Sequence, residues 1–354
     1  MPTTAIETPL SAEHLARGAR LEEFSGCLLP KAFSDVAEEY RAAREHVAIF
    51  DTNSHAIVTL AGRDRVKYLH AITSNNIKAL AEGNGMLALL LTPQGRILAE
   101  LEVYAVPEKL LVLSHASVRE RTVSTLKKYI LGSQVQLEDM TERMGSIGIE
   151  GPGTASVVAQ VAGLALSGFA EHSIAAVVIE GASCFLLKRS HWGSEGVEII
   201  APRENLEALW KTLSATILAS GGLPIGMQAL NMLRLEAGIP WFPSDFSDSV
   251  IPHEAVLENT HISFSKGCYT GQEIVERVRS RGHVNKTRVS LRFSTPEPPA
   301  PETKLLAGGA EVGFITSSAF SPRAGTSIGM GYLRREHNSQ GKVVEFEGGT
   351  ASVI

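Results

Sequence analysis

A chain of 354 residues, at roughly 150 per domain, has room for two to three domains. Hydrophobic residues make up 44%, charged residues 20%, and the formal net charge is −5, which excludes global disorder and a wholly basic nucleic-acid binder. Its three cysteines, Cys27, Cys184 and Cys268, form no C-x-x-C pair, which argues against a disulfide framework and a cysteine-rich metal site.

The start, MPTTAIETPLSAEHLARG, has neither a basic leader nor an apolar run and does not read as a secretory signal. A helix is predicted from a Ser34 cap to about Val47, with Val36, Tyr40 and Val47 towards one side. Strands follow at Ala56–Leu60, Met86–Leu91, Ile97–Tyr104 and Leu110–Leu113. Ser117 and Glu120 have the spacing of a capping box, before Val118, Thr122, Leu126 and Ile130 at intervals of four. The uncharged stretch 151–170 is broken by Gly151-Pro152-Gly153, Ser156, Gln160 and Gly163, so it predicts a short buried helix and a turn, not a membrane span. The expected location is the cytoplasm.

Further strands are predicted at Ile174–Ile179, Cys184–Lys188 and Val197–Ile200. Leu206, Leu209, Trp210, Leu213 and Ile217 form a helical stripe stopped by Gly221-Gly222, and a second helix runs from Ala229 to Ala237. From Val289 the texture changes to short β runs and turn clusters (Val289–Phe293, Glu311–Ser317, Ile328–Tyr332, Val343–Phe346), which reads as a small antiparallel barrel. The class is α+β, divided at 8–143, 144–283 and 284–354.

The most informative segment is Lys266-Gly-Cys-Tyr-Thr-Gly-Gln-Glu273. Gly267 and Gly271 free the backbone on both sides of Cys268, as a tight loop entering a helix near Gln272 requires. A thiol near a helix N-terminus and a lysine has a raised thiolate fraction, so Cys268 and Lys266 are the candidate catalytic pair; a small buried hydrophobe is the competing reading of Cys268. From Lys266 to Arg292 there are seven basic residues (Lys266, Arg277, Arg279, Arg281, Lys286, Arg288, Arg292) against Glu273 and Glu276. That excess of +5 marks either a solvated face or a seat for a polyanion. Sparse aromatics count against RNA, tRNA included, as a direct ligand. No H-E-x-x-H, phosphate loop or metal-ligand spacing occurs, so no metal is expected. A binding module using the basic strip remains a separate possibility.

The eight-residue segment resembles the signature of the YgfZ-type folate-binding proteins, relatives of the glycine cleavage T-protein (aminomethyltransferase) that act in iron–sulfur cluster maintenance. The wider T-protein pattern is similar at Phe50-Asp51 with Ser54-His55, Gln94-Gly95-Arg96, Gly151-Pro152, Arg234-Leu-Glu-Ala-Gly238, Pro252-x-Glu254, and Thr316-Ser317 with Phe320-Ser321-Pro322. The resemblance spans roughly residues 30 to 350 and implies two α+β subdomains plus a barrel around a central folate channel. It also implies tetrahydrofolate as cofactor, with Asn76, Glu198, His191, Trp192, Arg234 and Tyr269 as binding residues. Iron–sulfur enzymes or their assembly proteins are the implied clients.

Two positions depart from the T-protein pattern. Its T-N-D-V motif falls on Ser74-Asn75-Asn76-Ile77, so an amide replaces the aspartate and removes an ionisable group. Its G-x-x-G-x-E segment falls on Gly193, Gly196 and Glu198, with His191 in place of a tyrosine and Trp192 beside it. Without the resemblance, Glu198 would read as an exposed charge on a strand. The leading expectation is a tetrahydrofolate-binding accessory protein of iron–sulfur cluster assembly or repair. The alternative is a folate-dependent aminomethyltransferase.

Overall fold

The computed structural model describes residues 5–354, which divide into two compact units. The first comprises the described residues up to His70 with Asn76–Leu87 and Leu101–Leu230; the second comprises Ala71–Asn75, Ala88–Glu100 and Asn231–Ile354.

In the first unit a six-stranded sheet runs in the order Ile174–Ile179, Ala182–Lys188, Gly196–Pro202, Met144–Glu150, Ala48–Asp51, Leu223–Pro224. All its pairs are antiparallel except the last. Successive side chains on a strand alternate between faces, so Val197, Ile199 and Ala201 point one way and Glu198 and Ile200 the other. The first set meets Ile147 and Ile149 and the helix Leu206–Ala219, whose stripe Leu206, Leu209, Trp210, Leu213 and Ile217 is wholly buried. The second set faces another layer, in which Ile200, Leu187 and Ile174 pack with Ile57, Tyr104, Leu111 and Leu113. Those four come from a sheet ordered Gly85–Leu91, Ile97–Val106, Lys109–His115, His55–Ala61, Gln136–Asp139, of which residues 88–100 belong to the second unit. Glu198 therefore lies in a layer closed on both faces by strands.

The second unit ends in the barrel expected from the sequence. Its strands close in the order Lys286–Phe293, Thr326–Arg334, Ala310–Ser321, Lys304–Ala307, Val343–Phe346, Gly349–Val353. Leu291, Phe293, Leu305, Ile315, Leu333 and Val353 fill it. The strands Lys304–Ala307 and Gly349–Val353 escaped the sequence reading, because four or five residues beside a Gly pair give alternation too little length to register.

Two caps differ from expectation. The helix Val36–Glu45 is capped by Asp35, whose carboxylate accepts from the amides of Ala37 and Glu38, and not by Ser34. Ser117 forms no capping box. It sits in a 3-10 turn with its hydroxyl 2.8 Å from His115 Nδ1, and the helix Arg119–Lys128 begins after it and stops before Ile130. Asp35 takes the amides itself, whereas the Ser117 hydroxyl and amide are engaged by His115.

Gly148 pairs with Phe50 on the neighbouring strand, and a Cβ there would stand 2.3 Å from the Phe50 ring. The missing side chain is what lets Phe50 lie edge-on to His191 (4.9 Å between centroids) and against Trp192 (5.5 Å). Gly148→Ala is expected to destabilise the protein by about 1–3 kcal/mol through overpacking. Adding Phe50→Leu should return part of that loss. Thermal unfolding of the three variants checks both, and additive losses would show that the two sites do not share this space.

Candidate functional site

Glu198 is held between Gly148 and Leu187 on adjacent strands and has no solvent exposure. It is thus not the exposed strand charge that its sequence context alone suggests. Arg189 Nη1 donates to Glu198 Oε2 at 2.7 Å and reaches His55 Nε2 at 3.0 Å. The other guanidinium nitrogen, Nη2, pairs with Glu102 Oε1 at 2.5 Å, and Tyr104 Oη donates to Glu102 Oε2 at 3.0 Å. His55 Nε2 stands 3.1 Å from Glu198 Oε1, yet that oxygen accepts no aligned hydrogen bond. Two buried carboxylates share one guanidinium, and one carboxylate oxygen is left without a donor.

A third carboxylate, Glu150, organises the adjoining turn. It accepts from the Ser190 hydroxyl at 2.8 Å and from the amides of His191, Trp192 and Ser194 at 2.5, 3.0 and 3.0 Å. The imidazole of His191 lies between the two acids, Nδ1 3.3 Å from Glu150 and Nε2 3.7 Å from Glu198. His191 and Trp192 are both buried, and the indole Nε1 has no hydrogen-bond partner.

These contacts set the protonation states. Burial alone would push the carboxyl of Glu198 up, but His55 and Arg189 hold it well below the usual carboxylate range. Burial likewise opposes ionisation of Glu102 and Glu150, and Arg189 and His191 respectively overcome it. Burial and Arg189 would lower His191, whereas Glu150 and Glu198 raise it. The three carboxylates Glu198, Glu102 and Glu150 are therefore ionised at neutral pH.

The signature residues lie in the second unit. Cys268 is exposed at the end of a loop that enters the helix Gln272–Arg281 through Gly271. Gly271 has φ of +83°, and a Cβ there would stand 2.6 Å from the Thr92 carbonyl oxygen, so the position takes glycine only. Cys27 and Cys184 are buried, and burial pushes both thiols up, Cys27 to about 11. Lys266 is buried, with its ammonium donating to the Thr73 carbonyl and lying 4.8 Å from the centre of the Tyr269 ring. Tyr269 is buried too, and its hydroxyl has no hydrogen-bond partner. Asn76 is half-buried and heads the 3-10 turn Ile77–Ala79.

Arg234 is engaged by groups of its own unit. It is 1% exposed and donates to Asp245, to Asn231 Oδ1 at 2.9 Å and to the Ile239 carbonyl at 3.1 Å, with Trp241 stacked on it at 4.6 Å. Asp245 also accepts from Thr316 and Ser317 of the barrel strand Ala310–Ser321 at 2.7 and 2.6 Å. The basic strip does not form one surface either. Lys266 is buried, Arg288 donates to the Ala255 carbonyl at 3.1 Å, Arg277 pairs with Glu273, and Arg279 stacks on Phe264. Sequence reasoning missed Arg189, Glu102 and Glu150 altogether. The available signal was a charge inside or beside each of three otherwise apolar strand runs (97–106, 144–150, 182–188).

Among the described residues no group of His, Cys, Asp and Glu suits a metal, and no helix is long and apolar enough to cross a membrane. The GCVT N-terminal domain family matches residues 10–266, and the glycine cleavage T-protein C-terminal barrel domain matches 286–352. An aminomethyltransferase of Staphylococcus epidermidis is 26% identical over 97% of this chain and 94% of its own length. One of Herpetosiphon aurantiacus is 27% identical over 91% of this chain and 88% of the relative. The crystal structure of the glycine cleavage system aminomethyltransferase T of Bartonella henselae superposes with a TM-score of 0.89 at 23% identity, covering 98% of this chain and 96% of that one.

A pH series on the buried cluster tests these assignments. Carboxyls held below their unfolded value of 4.5 add stability above that pH, and lose it as pH falls through the lowered native value. Glu198→Gln is expected to cost about 3–5 kcal/mol near pH 6, by leaving Arg189 half-paired in the interior. The gap to the unsubstituted protein should begin to narrow below pH 4.5, where the unfolded carboxyl takes up a proton, and close only as pH falls through the lowered native value. Thermal unfolding between pH 3 and 7 reads this out, and a constant gap would mean that Glu198 is not ionised in the native state.

Proposed function

Because the chain belongs to the glycine cleavage T-protein family, we propose that it binds a tetrahydrofolate, the cofactor that family uses, and acts on the one-carbon unit this cofactor carries. The observation that carries the reading is Glu198, an ionised and fully buried carboxylate whose Oε1 lacks a donor. An orphaned acceptor of that kind suits the N–H edge of a pterin, and a neutral ring system gains most from a charge-assisted bond in a dry site. His191 and Trp192 would supply ring surface, and the unpartnered Trp192 Nε1 one further donor.

Within this reading Arg189 and His55 keep Glu198 ionised, and Glu150 holds the turn that carries His191 and Trp192. Asn76 would hydrogen-bond the cofactor without exchanging a proton, since an amide has none to give at neutral pH. The bound tetrahydrofolate supplies the nitrogens that carry the one-carbon unit. Aminomethyl transfer is the activity in the names of the relatives, and it is the first reading. The second is an accessory role in iron–sulfur cluster assembly or repair, of the YgfZ type. Two observations favour it: the exposed Cys268 within its signature, and an amide at position 76.

Calorimetric titration with tetrahydrofolate should give micromolar binding, weakened at least tenfold by Glu198→Ala. Turnover with an aminomethylated carrier protein then separates the readings. Slow transfer that rises in Asn76→Asp supports the first, with the missing charge as the limiting group. Binding without transfer in either form, together with iron–sulfur enzyme activity lost on Cys268→Ser in cells, supports the second. Absence of folate binding would sink both.

A further inference from the structure

The signature loop and the segment leading to Asn76 are joined by buried bonds that the proposed chemistry leaves unused. Three consecutive residues, Thr73, Ser74 and Asn75, are each gripped by the stretch 260–266. Lys266 donates its ammonium proton to the Thr73 carbonyl. The Ser74 hydroxyl donates to the His261 carbonyl at 2.6 Å and accepts from the Leu89 amide at 2.8 Å, while the Ser263 amide donates to the Ser74 carbonyl at 3.1 Å. Asn75 Nδ2 donates to the Thr260 carbonyl at 3.3 Å. The gripping stretch is itself fixed, because the buried imidazole of His261 is held on both sides: Nδ1 is 2.7 Å from Thr260 Oγ1 and Nε2 is 2.8 Å from Glu100 Oε1.

Lys266 is placed for this task and poorly placed for another. Its side chain is 8% exposed, and its charge is stabilised by a carbonyl oxygen and the face of Tyr269. Cys268, two residues on, is exposed to solvent, where an ammonium committed elsewhere gives a thiolate little help. Thr73 and Ser74, by contrast, have no exposure, so their carbonyls depend on internal donors. Asn76 follows Asn75 directly in the chain.

We propose that Lys266 is a positioning residue which, with His261 and Glu100, fixes residues 73–75 and so the backbone that leads to Asn76, and that it does not activate Cys268. The role of Asn76 rests on the folate reading above; the grip on residues 73–75 does not. Misplacing a contact by an ångström can cost a large factor in binding or rate, which is what such a set prevents.

The test uses the full chain without ligand. Hydrogen–deuterium exchange of the amides at 73–75 and alkylation of Cys268 by iodoacetamide are followed in Lys266→Met, Lys266→Arg and Glu100→Ala. Lys266→Met should speed exchange at 73–75 about tenfold and leave the barrel unchanged, with Lys266→Arg restoring most of the protection. Glu100→Ala, at a partly exposed site, should speed the same amides and carries the test if Lys266→Met does not fold. Alkylation of Cys268 should change less than twofold in all three. Unchanged exchange at 73–75, or a tenfold slower alkylation in Lys266→Met, would overturn the proposal. Tetrahydrofolate titration of the same variants keeps the two ideas apart. Faster exchange with a tenfold loss of affinity supports both, whereas faster exchange with unchanged affinity supports the grip and removes Asn76 from the cofactor.

Discussion

A carboxylate cut off from water stays ionised only if fixed donors and charges replace its hydration. Glu198 meets that condition through Arg189, and the surrounding architecture follows from it. The strand Gly196–Pro202 must face helices with Val197 and Ile199 and a second sheet with Glu198, so the layer has to be dry and polar at one spot. Arg189 satisfies Glu198 and Glu102 together, tying a residue just past the end of Ala182–Lys188 to the strand Ile97–Val106. Glu150 completes the arrangement by holding the turn 190–194 with four hydrogen bonds. Buried ion pairs add little net stability over apolar packing, but removing one partner is costly, so the arrangement enforces one geometry more than it strengthens the fold.

Much of the scaffold was legible because periodicity is a local property. The strands Ile174–Ile179 and Val343–Phe346 fall where alternation puts them, and the stripe from Leu206 to Ile217 is buried along its whole length. The barrel was legible from turn spacing. Cap identity was less so. Ser34 and Asp35 are equally good caps in isolation, and the choice was made when Glu39 turned inward to take the amides of Phe33 and Ser34.

The site was legible only in part, for a different reason. Alternation says that Glu198 and Val197 point to opposite faces, but not that both faces are covered. That needs a second sheet, assembled from residues more than 80 positions away. One-dimensional charge counting failed in the same way for the basic strip. Lys266 and Arg288, counted as surface charge, donate to backbone carbonyls, as does Arg234. An arginine or lysine in sequence is a set of donors as well as a charge, and a fold short of donors uses it as such.

The same distinction limits what family membership implies. A TM-score of 0.89 at 23% identity means that the layers and barrel persist while most side chains differ. In this chain the buried Glu198 owes its ionisation to Arg189 and His55. Position 76 carries an amide, Asn76. Exchanging a carboxylate for an amide there leaves size and hydrogen bonding intact and removes only the ability to carry charge or move a proton. On the proposed reading, such an exchange would keep the cofactor seat and lower the rate. The seat and the chemistry are separable properties, and they lie on residues under different physical constraints.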